Sequence, residues 1–427
     1  MFTFAVMMKS LFIRGSILAV LILIDLYVFQ AIKIMVDHRS IMLQRLVYML
    51  FWGITIFSVV ILIMTFFVDF HVWPKVFRQY TVGILGAIYL SKIVILPFLL
   101  IDDVIRGINW IFSFFSKEKV TDAGIPISSG KGISRIRFLS YLGVFLAAIP
   151  FFSMIYGMFY GKYRYTIKKV NLNFPDLPEA FKGIKIVQFS DFHIGSFMDQ
   201  GHVKKAIDLI NAQQADLVFF TGDLVNDLAS EVDEFKELLK QIHAPMGIYS
   251  ILGNHDYGDY YQWENFEQKR ANLEKLKNHH KDMGWRLLLN EHVEIAIQDQ
   301  KISLIGVENW SAVGHFPKYG NLAKAMEGVR DDHFKILLSH DPSHWDAQVI
   351  SDFPSIHLTL AGHTHGMQFG VEIPGFKWSP VQYVYPKWAG LYSIEKQHLY
   401  VNRGLGFIGY PGRVGILPEI TVFELLG

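Results

Sequence analysis

"LTLAGHTHG", residues 358–366, sets two histidines one residue apart directly after an apolar run. A strand end with nothing to do but turn would use Gly, Asn or Asp, which carry turn chemistry in their backbones and short side chains. In an extended segment, side chains at i and i+2 project to the same side. His363 and His365 therefore read as two imidazoles aimed one way, a clip for a metal ion.

The same texture recurs upstream. From about residue 166 short β-rich runs alternate with amphipathic helices, the signature of an α/β domain. "IKIVQFS" (184–190), "DLVFFTG" (216–222), "IYSILG" (248–253), "FKILLS" (334–339) and "IHLTLAG" (356–362) read as buried strands. One helix carries Val203, Ile207 and Ile210 on a face, and a second carries Val232, Phe235, Leu238, Leu239 and Ile242. Each strand is followed by a polar donor. Asp191 and His193 follow the first, Asp223 the second, Asn254, His255 and Asp256 the third, His340 the fourth, and His363 and His365 the fifth. Ligands of open α/β sheets gather at strand carboxyl ends, so residues far apart in the chain can converge there.

The donor set narrows the chemistry. Oxygen and nitrogen donors without sulfur suit a borderline divalent ion such as Mn, Zn or Fe, and are too nitrogen-rich for calcium or structural magnesium. Seven of these nine donors already exceed the roughly three that a single catalytic zinc takes from protein. Two ions about 3.5–4 Å apart, sharing one carboxylate, would use seven. Asp223 is the natural bridge, being the lone carboxylate on its strand end.

The ordered blocks "SDFHIG", "TGDLVND", "LGNHDYG", "LSHDP" and "LAGHTHG" resemble those of the calcineurin-like metallophosphoesterases over about residues 170–427. The likeness extends to the membrane-attached bacterial branch, with relatives of UDP-diacylglucosamine pyrophosphatases, through "LPEAFKGIKIVQFSDFHIG" and "YVNRGLGFIGYPGRVGILPEITVFEL". That branch often has Gly where this chain has Met367, a departure expected to alter pocket shape and not metal binding. The resemblance implies a four-layer α/β/β/α sandwich. It implies one metal held by Asp191, His193, Asp223 and His365, and a second held by Asp223, Asn254, His340 and His363. It implies that His255 contacts phosphate and assists the leaving group, with Asp256 orienting it. Asn226 and Arg403 are further candidates for phosphate contacts, although Arg403 serves equally well as a structural part of its turn. His279 and His280, on a charged helix, read as a solvated face, and His344 and His357 as surface or supporting groups. The aromatics Trp378, Tyr383, Tyr385 and Trp388 read as core packing sooner than a substrate groove.

The first 160 residues have a different character. The chain has 427 residues, 51% of them hydrophobic, and its mean hydropathy is +0.27. Four apolar stretches, at about 11–34, 47–70, 80–101 and 138–160, match the roughly 20 residues that cross a bilayer. No small-residue cleavage site follows the first, so it reads as an anchor. Val104, Ile105, Ile108, Ile111, Phe112 and Phe115 form one helical face, which suits either an interfacial helix or a continuation of the third span. The Gly/Ser/Lys-rich stretch 122–134 reads as a loop. Asp25 and Lys92 lie within spans, where a charge needs a partner, and they read as a pair. Basic residues flank both sides of the spans, so the positive-inside rule assigns no orientation. "SRIRFLSYLG" (134–143) resembles a degenerate twin-arginine export signal and tilts the C-terminal domain outside.

A net charge of +1 argues against a nucleic-acid partner held by bulk electrostatics, and the absence of cysteine excludes disulfides and thiolate metal sites. The expected organisation is a membrane domain at 1–165 and a metallophosphoesterase domain at 166–427. The expected activity is a membrane-anchored, dinuclear-metal phosphohydrolase whose metal-bridging hydroxide attacks a phosphoester or pyrophosphate. Its expected partners are the lipid bilayer, in a bacterial cell membrane, and a phosphorylated small-molecule or lipid-linked substrate. The rival readings are a non-catalytic metal-binding sensor or scaffold, and a regulator of a small transport unit.

Overall fold

A computed structural model describes residues 2–68, 72–115, 134–314 and 316–427. The chain divides into two compact units, Met1–Tyr156 and Gly157–Gly427.

Among the described residues the first unit is built from helices α1 (Phe2–Val36), α2 (Ile41–Phe67), α3 (Lys75–Phe115) and the body of α4 (Arg135–Phe159). Each contains a segment long and apolar enough to cross a bilayer. Their outward faces are apolar, as on Leu23, Met49, Ile56 and Phe145, which suits acyl chains and not water. Inside, Lys92 pairs with Asp25, and the Tyr89 hydroxyl donates to Asp25 at 2.9 Å. The apolar run at 104–115 continues α3 without a break, so of its two readings the extended third span is the one adopted. Except for Ser134, the loop at 122–134 lies outside the described residues.

The second unit carries two six-stranded sheets. One is ordered β1-β14-β2-β3-β4-β5, with β1 Thr166–Asn173, β2 Lys185–Phe189, β3 Leu217–Phe220, β4 Ile248–Ser250, β5 Arg286–Leu287 and β14 Glu419–Leu426. The other is ordered β12-β13-β9-β8-β7-β6, with β6 Glu291–Ile297, β7 Gln300–Gly306, β8 Phe334–Leu338, β9 Leu358–Ala361, β12 Gly390–Ile394 and β13 Gln397–Val401. A separate ribbon pairs β10 (Val371–Ile373) with β11 (Phe376–Trp378). Runs β2–β5 and β7–β9 with β13 are parallel, and antiparallel strands complete both sheets.

Alternation along the strands builds the layers. Ile186, Leu217 and Phe219 of the first sheet meet Leu304, Ile336, Leu338 and Leu360 of the second in a shared core. Their neighbours Val187, Val218 and Phe220 face outward against Val203, Ala206, Ile207 and Ile210 of α5 (Gln200–Asn211). On the opposite flank Ile305, Leu337 and Val401 cover Trp345 and Val349. The result is the four-layer α/β/β/α sandwich. The helix that the spacing predicts across 232–242 is broken into a turn at Ala229–Val232 and a single-turn α6 (Lys236–Leu239), although Val232, Phe235, Leu239 and Ile242 are all buried. On α7 (Phe266–Asp282) the solvated reading of His279 and His280 is overturned: both are buried, and His280 packs beside Trp285 and bonds Ser250 Oγ at 3.0 Å.

Candidate metal centre

The donors stand where five strands stop. Past the strand ends the backbones stay in register, with Asp191 N–H donating to Gly222 O at 2.8 Å and Gly362 N–H to His340 O at 2.9 Å. The two sheets are tied together here, because His363 N–H donates to both Asp191 oxygens at 2.9 and 3.0 Å. The glycines before His363 and Asn254 make room: a Cβ on Gly362 would collide with Ser190 and Asp191, and one on Gly253 with Asp223.

Among the described residues two donor groups form, Asp191–His193–His365 and Asp223–His340–His363. His193 Nε2 lies 3.0 Å from His365 Nε2, which lies 3.2 Å from Asp191 Oδ1. In the second group His363 Nδ1 is 3.3 Å from His340 Nε2 and 2.8 Å from Asn254 Oδ1. Asp223 Oδ2 stands between the groups, 3.6 Å from His193 Nε2 and 3.2 Å from His340 Nε2. All seven sequence-derived donors are thus brought together, but not as the extended clip. Asp191, His193, Asp223, His363 and His365 have φ of 49°, 46°, 59°, 73° and 50°, in the left-handed region. The backbone coils instead of running straight, so His363 and His365 turn into different groups.

The donor chemistry fits cations. Supporting bonds fix the far side of several rings and leave the near side as lone pairs. His340 Nδ1 donates to Thr221 O at 2.7 Å, leaving Nε2 toward Asp223. His363 Nε2 faces the Tyr385 hydroxyl at 2.8 Å and Asp341 at 3.3 Å, leaving Nδ1 toward Asn254 Oδ1. The Asn254 amide nitrogen donates to Tyr260, so its oxygen points inward. Acceptors this close are satisfied by a proton or a metal ion between them. Charge behaves accordingly. Burial drives the imidazoles of His193 (to about 3), His363 and His365 toward their neutral forms, as ligands must be. At His340 burial acts the same way but is overcome by the Asp223 and Asp191 carboxylates, which raise it to about 10. A buried place that draws a proton against desolvation attracts cations.

His255 sits at the rim. Its N–H donates to Asp223 Oδ1 at 2.9 Å, and its Nδ1 meets the Asn226 carbonyl at 2.7 Å. The expected Asp256–His255 pairing is therefore corrected: the carbonyl of Asn226 orients the ring, and Asp256 is engaged elsewhere. Its carboxylate accepts backbone N–H groups of Asp223, Leu224, Val225 and Gly253 at 2.8–3.2 Å. Arg403 lies in a buried ion cluster with Glu419 and Glu372 and is structural. The Asn226 side chain accepts from Ser196 Oγ. His344 is spent on Ser339 and Gln348, and His357 on the Lys335 backbone.

A pocket of about 270 Å³ opens over the donors, lined by Asp223, Asn254, His255, Tyr260, Phe316, His363, His365 and Ile408. Tyr260, Phe316 and Ile408 carry no motif signal and escape sequence reading. Of the aromatic cluster, Trp388 is core, while Tyr385 reaches His363 through its hydroxyl. Arg413, wholly buried, donates to His365 Nδ1 at 3.2 Å, and burial lowers its guanidinium to about 10.

Residues 8–162 match a family described as "Probable Calcineurin-like phosphoesterase, transmembrane domain", and residues 184–367 match "Calcineurin-like phosphoesterase". The metallophosphoesterase YkuE of Bacillus subtilis is 33% identical over 253 residues, which is 58% of this chain and 81% of that protein. A transmembrane protein with metallophosphoesterase domain from Danio rerio is 29% identical over 276 residues, covering 62% of this chain and 59% of that one. The UDP-2,3-diacylglucosamine pyrophosphatase LpxG of Chlamydia trachomatis is 28% identical over 278 residues, or 56% of this chain and 83% of LpxG.

Proposed function

Because this chain belongs to the calcineurin-like metallophosphoesterases, we propose that it is a membrane-anchored, two-metal hydrolase of a lipid-linked phosphoester or pyrophosphate. The observation that carries this reading is the position of Asp223, whose carboxylate lies within 3.6 Å of an imidazole from each donor group. Asp191, His193, Asp223 and His365 would hold one ion, and Asp223, Asn254, His340 and His363 the other. Manganese, zinc and iron all suit these donors. Bound there, such ions supply a water-derived nucleophile near neutral pH and neutralise charge on the phosphoryl oxygens.

The chain's own residues do the rest. His255, whose Nδ1–H donates to the Asn226 carbonyl, lines the pocket and in its imidazolium form gives a proton or hydrogen bond from Nε2 to the departing oxygen. Neutral Asn254 limits the negative charge that an anionic substrate meets. Phe316 and Ile408 wall the pocket against water. In this reading residues 1–165 are the membrane domain and 166–427 the catalytic one, and the arginine pair opening α4 favours an extracytoplasmic catalytic domain. The anchor, with the similarity to a pyrophosphatase of a diacylated sugar nucleotide, favours a substrate at the bilayer surface.

The test is hydrolysis by the purified full chain, loaded in turn with manganese, zinc and iron. Phosphomonoesters, diesters and lipid-linked pyrophosphates are compared. Chelator-sensitive cleavage, fastest on the lipid-linked pyrophosphate, is expected. Metal-replete protein that cleaves none of them overturns the hydrolase reading.

A further inference from the structure

The β10–β11 ribbon is amphipathic in the wrong sense for a water-facing surface. Cross-strand partners share a face, so Val371 with Trp378 and Ile373 with Phe376 form one side, and Glu372 with Lys377 the other. The charged side is turned to the protein. Glu372 accepts from Lys168 at 3.1 Å and Arg403 at 2.9 Å, and Lys377 donates to the Ala389 carbonyl at 2.5 Å. The apolar side is left open: Val371, Ile373 and Phe376 are 43%, 58% and 54% exposed. The tip between them is Pro374-Gly375, a tight turn in which Gly375 takes φ 79°. Two strands alone are marginally stable in water, and an apolar tip on such a ribbon gains nothing there.

Within the second unit, the base of the ribbon is tied to the residues that close α4. Gly370 N–H donates to Val414 O at 2.9 Å, and Arg413 N–H donates to the carbonyl of Gly157 at 3.2 Å, in the last turn of α4. The contact is close-packed: a Cβ on Gly157 would stand 2.7 Å from Arg413 O and 2.8 Å from Val414 Cγ2. From Val371 to Ile373 is two strand steps, about 7 Å. The headgroup layer on each side of a bilayer is only about 5–8 Å deep. We propose that the β10–β11 ribbon is a bilayer-contacting element that places Ile373 and Phe376 at the acyl-chain boundary of the leaflet from which α4 emerges. This does not depend on the hydrolase reading.

The chain has no cysteine, so single labels need no background removal. Phe376→Cys and Ile373→Cys are each labelled with nitrobenzoxadiazole in the full chain, in vesicles of phosphatidylcholine and phosphatidylglycerol. Glu274→Cys on α7 is the exposed control. At 373 and 376 the expected result is blue-shifted emission and roughly twofold or greater quenching by brominated acyl chains, as for groups about 5–10 Å into the interface. Aqueous iodide should quench only the control. Quenching by iodide at 373 and 376 overturns the proposal. So does a label shielded from both quenchers, which would mean that a protein surface covers the ribbon.

Discussion

The carboxylate of Asp256 accepts the backbone N–H of Asp223 at 2.9 Å, and the same carboxylate takes Gly253 N–H at 2.9 Å. It thereby sews the loop after β3 to the loop after β4, each carrying proposed ligands. In Asp256→Asn one oxygen becomes a donor facing two backbone donors. An unsatisfied buried group costs about 1–3 kcal/mol, so thermal unfolding should shift downward by several degrees and metal content should fall. An unchanged melting curve with slowed chemistry alone would instead restore Asp256 as a partner of His255.

Asp223→Asn is expected to strip or misplace metal. Removing a shared ligand should lower affinity by more than the roughly 10–100-fold typical of a lost supporting hydrogen bond. Metal analysis with kcat/KM checks it. Normal metal content and near-normal turnover would refute the bridging role.

His255→Ala should retain both ions yet lower kcat by about 10²–10⁴-fold, the usual worth of a positioned proton donor. The readout is single-turnover hydrolysis alongside metal stoichiometry. Loss of metal would reassign His255 from leaving-group assistance to coordination.

Tyr385→Phe removes the hydroxyl 2.8 Å from His363 Nε2, which also donates to Asp341 at 3.1 Å. Affinity for the second ion should weaken about 10–100-fold, with little change in melting temperature. Titration of chelated protein with metal distinguishes this from a core-packing role.

His280 gives a pH dependence remote from the centre. Burial holds its imidazole at about 3, against about 6.5 when unfolded. Above pH 6.5 neither state binds the proton, so its full contribution is present. As pH falls from 6.5 toward 3 the unfolded chain alone takes the proton, and stability declines by up to about 1.4 kcal/mol per pH unit. His280→Gln should flatten the melting profile between pH 6.5 and 4 by about one proton's worth. Equal slopes for both proteins would contradict it.

The layers and the convergence of donors were legible because strand runs and the polar residue after each are local signals. The rest depended on distant partners. The left-handed φ at His363 goes with Asp191, which holds the His363 amide from another sheet. No window around residue 363 contains that. His280 reads as exposed among its charged neighbours, and only Ser250 and Trp285 make it a core residue. The strand at 419–426 inserts between β1 and β2, pairings across some 230 to 250 residues of sequence that periodicity cannot reveal. Asp256, adjacent to His255, invited a pairing that four backbone amides had already claimed.

The coiled backbone at Asp191, His193, Asp223, His363 and His365 also restricts the alphabet available there. Outside glycine, that conformation is populated chiefly by Asn, Asp and His. Geometry and coordination chemistry thus select the same three side chains. Exchanging Asp223 for glutamate would preserve charge while losing both the short reach and the conformational tolerance, so a swap conservative by formula is radical by shape.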